Sequence, residues 1–314
     1  MPVEQLTLLP LDDPQPQSSE GHLNSLSALS SALKAFHEHM LHENLSTNTV
    51  KAFDSDLRLL ARFAGSSTPL SELTPGRLES FLDYLRYERG VPCKPKSLSR
   101  RLTTLKVFFS WLTKQGVLLS DPAAPLVHHR AKTPVPRVLS EAEVEELLTA
   151  TDQLRRDPDH PDARPHLLIT LLLATAVKKG ECMRIMRSDI DVSDPRAASV
   201  FIRYANARQR HKERRLRLSP QFAHTLPDYL EQYRPETQLF PCTARNLEYV
   251  LDGCAKRAGL IPRVLSFEAL RWTCAVRDLQ AGMEADTLRR KLGLSCITWA
   301  ETLEKLGRLT TAPL

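Results

Sequence analysis

Between Arg203 and Arg217 the chain carries seven cationic side chains, Arg203, Arg208, Arg210, Lys212, Arg214, Arg215 and Arg217, against one acid, Glu213. Guanidinium and ammonium groups at that density do one kind of chemistry well. They hold phosphate oxygens, arginine with two parallel hydrogen bonds and lysine as a point charge. A solvated basic face has the same composition, so both readings stand here. The end of the chain poses the opposite question. Residues 291–302 read KLGLSCITWAET, between helical runs at Ala285–Lys291 and Ile297–Leu306. The outward-looking positions are Leu294, Trp299 and Leu303, and none is an acid, a base or a nucleophile. No histidine follows His224 and no tyrosine follows Tyr249. Thr302 offers a hydroxyl, but threonine needs a base to deprotonate it, and no histidine lies near it in sequence.

Elements that could position these groups follow from periodicity and caps. Leu23–Glu43 is helical in pattern. Ser46 or Thr47 caps a second helix with the apolar stripe Val50, Phe53, Leu57, Leu60 and Phe63. Thr74 as N-cap, Pro75 in the first turn and Gly90 at the end frame a third. A fourth ends at Gly116, and LLSDPAAPL after it reads as an extended connection. Phe108, Phe109 and Trp111 sit at helical spacing and read as core. Ser140 with Glu143 forms a capping box that opens a further helix. HLLITLLLATAV is a buried helix, and the segment around the basic run reads as a β-hairpin. From Ala223 onward the pattern is helical. The boundaries expected are a disordered tail at 1–22, a helical domain at 23–126, a linker at 127–138 and a helical domain with a small sheet at 139–314. The fold class is mainly α with a small antiparallel β-sheet.

The bulk numbers set limits. The 314 residues suit two domains, 42% hydrophobic content is enough for ordinary cores, and a net charge of +6 fits an anionic partner. Six cysteines show neither a CxxC pair nor zinc spacing, so reduced thiols and no metal are expected. No apolar run is long enough to span a membrane. The first residues lack the basic opening of a signal peptide, and a cytoplasmic, nucleoid-associated protein is expected.

Four stretches resemble one family. SLSRRLTTLKVFFSWLTKQGVLLSDPAAPL is similar to the last helices of the DNA-clamping domain of tyrosine recombinases of the phage-integrase type. LSEAEVEELL resembles the opening of their catalytic domain. LLLATAVKKGECMRIMRSDID resembles, without a gap, the segment that usually reads A-T-G-L-R-x-S-E-L-x-x-L-x-x-x-D-I-D. AGLIPRVLSFEALRWTCAVRDLQAGMEADTLRRKLGLSCIT resembles the stretch that usually carries H-x-L-R-H-T and then L-G-H-S-S-I before the tyrosine. The likeness runs over about 23–306. It implies a two-domain clamp around duplex DNA and needs no cofactor. The family's chemistry is strand cleavage and rejoining. Arginines hold the scissile phosphate, a tyrosine attacks phosphorus, a hairpin lysine protonates the leaving oxygen, and histidines assist.

On the matching positions the resemblance places Lys178 where the first arginine stands, which keeps the charge and loses the two-pronged geometry. The acid that follows is kept as Glu181, and the second arginine as Arg271. The hairpin lysine falls on Gln209, with Arg208, Arg210 or Lys212 as alternatives if the register shifts. The histidine positions hold Glu268, Trp272 and Leu294, and the nucleophile position holds Leu303. Expected DNA contacts are Lys51, Arg100, Arg101, Lys106, Arg203, Arg208, Arg210, Lys212, Arg214 and Arg271. The resulting expectation is a double-stranded-DNA-binding protein without cleavage activity. It would be accessory to, or a regulator of, recombination by an active tyrosine recombinase, with self-association through the C-terminal segment as a further possibility. The alternatives are an active recombinase with divergent residues and a protein-interaction module that kept the fold.

Overall fold

The computed structural model describes residues 22–127, 136–194, 196–261 and 264–311, without the side chains of Arg208 and Thr311. All but the last residue of the expected tail, and most of the expected linker, lie outside those residues. The chain divides into two compact units, Met1–Thr133 and Pro134–Leu314.

The first unit is helical: α1 (Leu29–His42), α2 (Thr47–Ala64), α3 (Pro75–Asp83) and α4 (Pro95–Lys114). The start signals act as their chemistry requires. The Ser46 hydroxyl accepts the Thr49 N–H at 3.1 Å, and that of Thr74 accepts the Arg77 N–H at 3.4 Å. α1 starts later than expected because Ala28 forms a β-bridge with Pro69. α3 ends at Asp83 and passes into a π-turn at Tyr84–Glu88. The connection after α4 is not extended. Asp121 Oδ1 accepts the Ala123 N–H at 2.8 Å, and the turn so formed buries Ala123 and Leu126 in the core.

Aromatic rings fill that core. Phe36, Phe108 and Phe109 are fully buried, with Phe108 edge-on to Phe36 at 5.2 Å and to Phe109 at 5.0 Å. Trp111 packs at the margin, 5.2 Å from Phe36. One charged group is also inside. Asp56, 3% exposed, accepts from Arg100 at 2.7 Å, Thr104 at 3.0 Å and Arg101 at 3.4 Å, tying α2 to α4. Burial pushes the Asp56 carboxyl up, and Arg100, Thr104 and Arg101 oppose that shift.

The second unit opens with α5 (Glu141–Arg155), whose capping box is formed: Ser140 N–H to Glu143 at 2.9 Å and Glu143 N–H to Ser140 at 3.2 Å. α6 (Arg164–Thr175) is apolar on nearly every side and lies in the middle of the larger core cluster. Then come the short α7 (Lys179–Cys182), β1 (Ile190–Asp191), β2 (Ser199–Ile202) and β3 (Arg214–Arg217). The strands form one antiparallel sheet in the order β1-β2-β3, with Val200 opposite Leu216. A 3-10 turn, Ala207–Lys212, joins β2 to β3 and carries the middle of the basic run. Helices α8 (Pro220–Tyr233), α9 (Ala244–Arg257), α10 (Phe267–Gln280), α11 (Ala285–Lys291) and α12 (Cys296–Thr311) complete the unit. A second cluster, built on Ala176, Cys274, Ala275, Val276, Leu288, Leu292 and Leu306, packs α10, α11 and α12 together. The protein is thus mainly helical with one small antiparallel sheet.

Phe108→Ala is expected to cost about 3–5 kcal/mol, because the ring is fully buried and its neighbours are rings that cannot collapse onto the void. Urea denaturation of wild type and variant reads that difference.

Candidate functional site

The site is built around a buried carboxylate. Glu181, 2% exposed, lies on α7, and its Oε2 accepts the backbone N–H of Lys178 at 2.8 Å. Arg214, at the start of β3, donates to both oxygens, each at 3.0 Å. The Tyr204 hydroxyl donates to Oε1. Burial alone would raise the Glu181 carboxyl. The hydrogen bonds and charge of Arg214, helped by Tyr204 and the Lys178 amide, outweigh it and hold the group at about 2. Burial and the bond to Glu181 push the Tyr204 phenol up to about 12, so it stays protonated. Tyr204 was not singled out from the sequence. The signal was there: Val200, Ile202 and Tyr204 alternate inward with period two, which carries Tyr204 to the same side as the core of the sheet.

The same cations grip the end of α11. A helix leaves its last carbonyls without intrahelical partners. Arg214 Nε donates to the Lys291 carbonyl at 2.7 Å, Arg271 to the Leu292 carbonyl at 2.7 Å, and Lys178 Nζ to the Gly293 carbonyl at 3.3 Å. Arg289 takes the Leu294 carbonyl at 3.2 Å. Arg271, 9% exposed, also donates to the Ala176 carbonyl. Gly293 has φ +58°, and a Cβ there would stand 2.8 Å from an Arg214 nitrogen, so the close approach needs glycine. Burial depresses the pKa of Lys178, and the positive neighbours Arg271, Lys212 and Arg214 add to it, against Glu181. Burial likewise lowers Arg271.

The positions expected to carry histidines and a nucleophile are differently occupied. Glu268 is exposed on α10 and accepts the Trp272 indole N–H at 2.7 Å, one helical turn on. Leu294, Trp272 and Trp299 are not outward-facing groups: all three pack against the cluster that joins α10, α11 and α12. Leu303, unlike those three, is exposed, at 37%. The Thr302 hydroxyl is bonded back to the Thr298 carbonyl at 2.8 Å. Gln209 is half-buried in the 3-10 turn, whereas Lys212 is close enough to Lys178 to act on its charge. Lys178, Lys179, Glu248, Asp252, Glu268 and Arg271 are among the residues lining an open cleft of 470 Å³. Among the described residues no group of three His, Cys, Asp or Glu side chains could hold a metal ion.

The expected DNA-contacting cations fall into two sets. Lys51, Arg203 and Arg210 are exposed, although Arg203 is also paired with Asp189. Arg215 and Arg217 are exposed on β3. Arg214 and Arg271 belong to the interior instead, because Glu181 and main-chain carbonyls take their donors. Arg101 likewise lies 13% exposed against Asp56 and the Cys93 sulfur. Arg100 is 43% exposed but spends one nitrogen on Asp56, and Lys106 donates to the Ala124 carbonyl at 3.0 Å. The Arg208 side chain lies outside the described residues.

Helical units of this order, with a three-stranded sheet and a cation pair flanking a buried acid, define a class. Residues 33–116 match the phage integrase N-terminal SAM-like domain, and residues 137–301 match the phage integrase family. The chain belongs to the phage integrase family, the tyrosine recombinases. Tyrosine recombinase XerC of Mycobacterium sp. (strain KMS) is 28% identical over 166 residues, 52% of this chain and 55% of that protein. The chain thus spans about half the length of that relative. Tyrosine recombinase XerD of Listeria innocua is 23% identical over 284 residues, 86% of this chain and 92% of that protein. Two solved structures share the fold. One is a lambda integrase tetramer bound to a Holliday junction, with TM-score 0.70, 16% identity and coverage of 93% of this chain and 82% of that one. The other is the Tn1549 transposon integrase with a circular intermediate DNA, with TM-score 0.70, 18% identity and coverage of 89% and 94%. No helix among the described residues is long and apolar enough to cross a membrane.

The depressed Glu181 carboxyl makes stability depend on pH in a defined sense. A carboxyl at about 2 in the folded protein and 4.5 ordinarily stabilises the fold fully above pH 4.5, and that share is lost as pH falls through about 2. Denaturation midpoints across that window should fall less steeply for Glu181→Gln than for wild type. Parallel curves would mean that Glu181 is not the titrating group.

Proposed function

We propose that this chain is a DNA-binding tyrosine recombinase relative that does not cleave DNA by itself. It serves as an accessory or regulator of recombination carried out by an active family member. The observation that carries this reading is the nucleophile position. Leu303 cannot attack phosphorus, and Leu294 in its apolar packing cannot move a proton. Thr302 is committed to its own helix. Tyr204 is a poor substitute, because its hydroxyl is engaged in donating to Glu181 and its pKa is pushed up to about 12.

DNA binding is supported by a different set of groups. Arg210, Arg215 and Arg217 face outward on the basic hairpin. Phosphate contacts by such side chains position a protein on the duplex without reading sequence. Residues 23–126 and 139–314 are the two DNA-contacting domains of this proposal, with 127–138 between them. Ile297, 91% exposed, and Leu303 lie on α12 and support association with another chain through that helix.

A salt titration on random duplex DNA tests the proposal. Wild type should weaken steeply as salt rises, with each lost phosphate contact removing ~0.9 from the logarithmic slope. A variant with Arg210, Arg215 and Arg217 changed to Ala should bind less tightly and with a shallower slope. No binding by wild type at low salt would overturn the reading.

A further inference from the structure

A cavity of about 770 Å³ opens between α5 and α8. None of its wall belongs to the cleft beside Lys178 and Arg271. Glu141, Val144, Glu145, Leu148 and Asp152 fall at helical spacing, so one face of α5 lines it along most of the helix. Gln221 and His224 of α8 and Arg277 of α10 add to the wall. His166 of α6 reaches it from the core and is only 5% exposed.

The His166 ring is half satisfied. The Thr151 hydroxyl donates to the Leu147 carbonyl at 2.9 Å, which leaves its oxygen to accept from His166 Nδ1, also at 2.9 Å. That bond puts the ring proton on Nδ1. Burial depresses the His166 pKa, and Arg155 and Arg156 add to it, against Asp152 and the Leu148 main chain, so the ring is neutral. Its Nε2 is then a bare acceptor. It makes no hydrogen bond among the described residues. Nor is it sealed away, because the one described buried side-chain atom with neither partner nor solvent is Arg164 Nε. Nε2 therefore meets accessible space, and the cavity is the space His166 lines.

The charges at the wall favour one class of occupant. Arg277 is paired with Glu141 at 2.8 Å, Arg156 with Asp152 at 2.9 Å, and Arg155 with Asp152 at 2.8 Å and Asp228 at 2.5 Å. Glu145 is exposed and has no ion pair or hydrogen bond among the described residues. His224, the remaining titratable group of the wall, is exposed and likewise unpaired. An anion would meet the Glu145 carboxylate and the Nε2 lone pair, with every arginine already engaged. A neutral hydroxyl would satisfy Nε2 and leave Glu145 unmatched. An ammonium group donates to the first and offsets the charge of the second. A short run of methylenes behind it would cover Val144 and Leu148. We propose that this cavity binds a small aliphatic amine, with an ammonium group donating to His166 Nε2 and Glu145 supplying the counter-charge. The site goes beyond the DNA-binding reading and does not rest on it.

Nitrogen-resolved NMR of the histidine rings in the full chain decides it. The probe is the diamine putrescine, against tetramethylammonium at equal ionic strength, a cation with no N–H to donate. Putrescine should move the His166 Nε2 resonance saturably and leave Nδ1 nearly still, whereas tetramethylammonium should leave both in place. Glu145→Gln, at an exposed position, should keep the fold and weaken the putrescine titration about three-fold. A capped lysine, which offers the same ammonium as a protein side chain would, should bind no more tightly than putrescine. The proposal is overturned by an Nε2 resonance that putrescine does not move, or that tetramethylammonium moves equally. An undiminished response in Glu145→Gln would also overturn it. Tighter binding of the capped lysine would assign the cavity to a protein partner and end the small-amine reading. DNA is absent from every arm, so the functional reading stands or falls separately.

Discussion

Three side chains from three separate elements, Arg214 of β3, Lys178 before α7 and Arg271 of α10, converge on the carbonyls of Lys291, Leu292 and Gly293. The geometry of the second unit around its site depends on that convergence. It fixes where α11 ends. It sets the path of the chain into α12. It also ties the sheet to the helices through Glu181, which binds Arg214 and Tyr204 at once. A buried carboxylate is tolerable only when its lone pairs are met, and here each oxygen has charged or hydroxyl donors. Removing Arg214 or Glu181 would leave the other's charge uncompensated in the interior. The cluster therefore answers a structural demand of the fold.

That demand accounts for how firmly the cluster's side chains are held. Arg271 and Glu181 are held by main-chain and side-chain partners, and Lys178 keeps a charge over the Gly293 carbonyl. Leu294 and Trp272 instead enlarge an apolar cluster that fastens α12.

Much of this was legible in the chain itself. The caps at Ser46, Thr74 and Ser140 are local chemistry and marked helix starts well. The β-branched or alternating runs on either side of the basic turn marked the hairpin. What pattern could not supply was long-range. The late start of α1 depends on the Ala28–Pro69 bridge, far apart in sequence. The turns after α4 depend on burying Ala123 and Leu126. The basic run is the sharpest case. Composition treats Arg210, Arg214 and Arg215 alike, but strand alternation and Glu181 send Arg214 inward and leave its neighbours outside. In the same way Arg101 is drawn inward by Asp56, a residue of another helix.

The central claim, that this recombinase fold engages DNA without breaking it, is tested most directly by covalent trapping. A nicked duplex that loses a short fragment on cleavage would accumulate any protein–DNA linkage, seen as a shifted band on a denaturing gel. The account expects no adduct at protein concentrations where the duplex is demonstrably bound. An adduct formed by the purified chain, with its attachment mapped to a residue of this sequence, would contradict it.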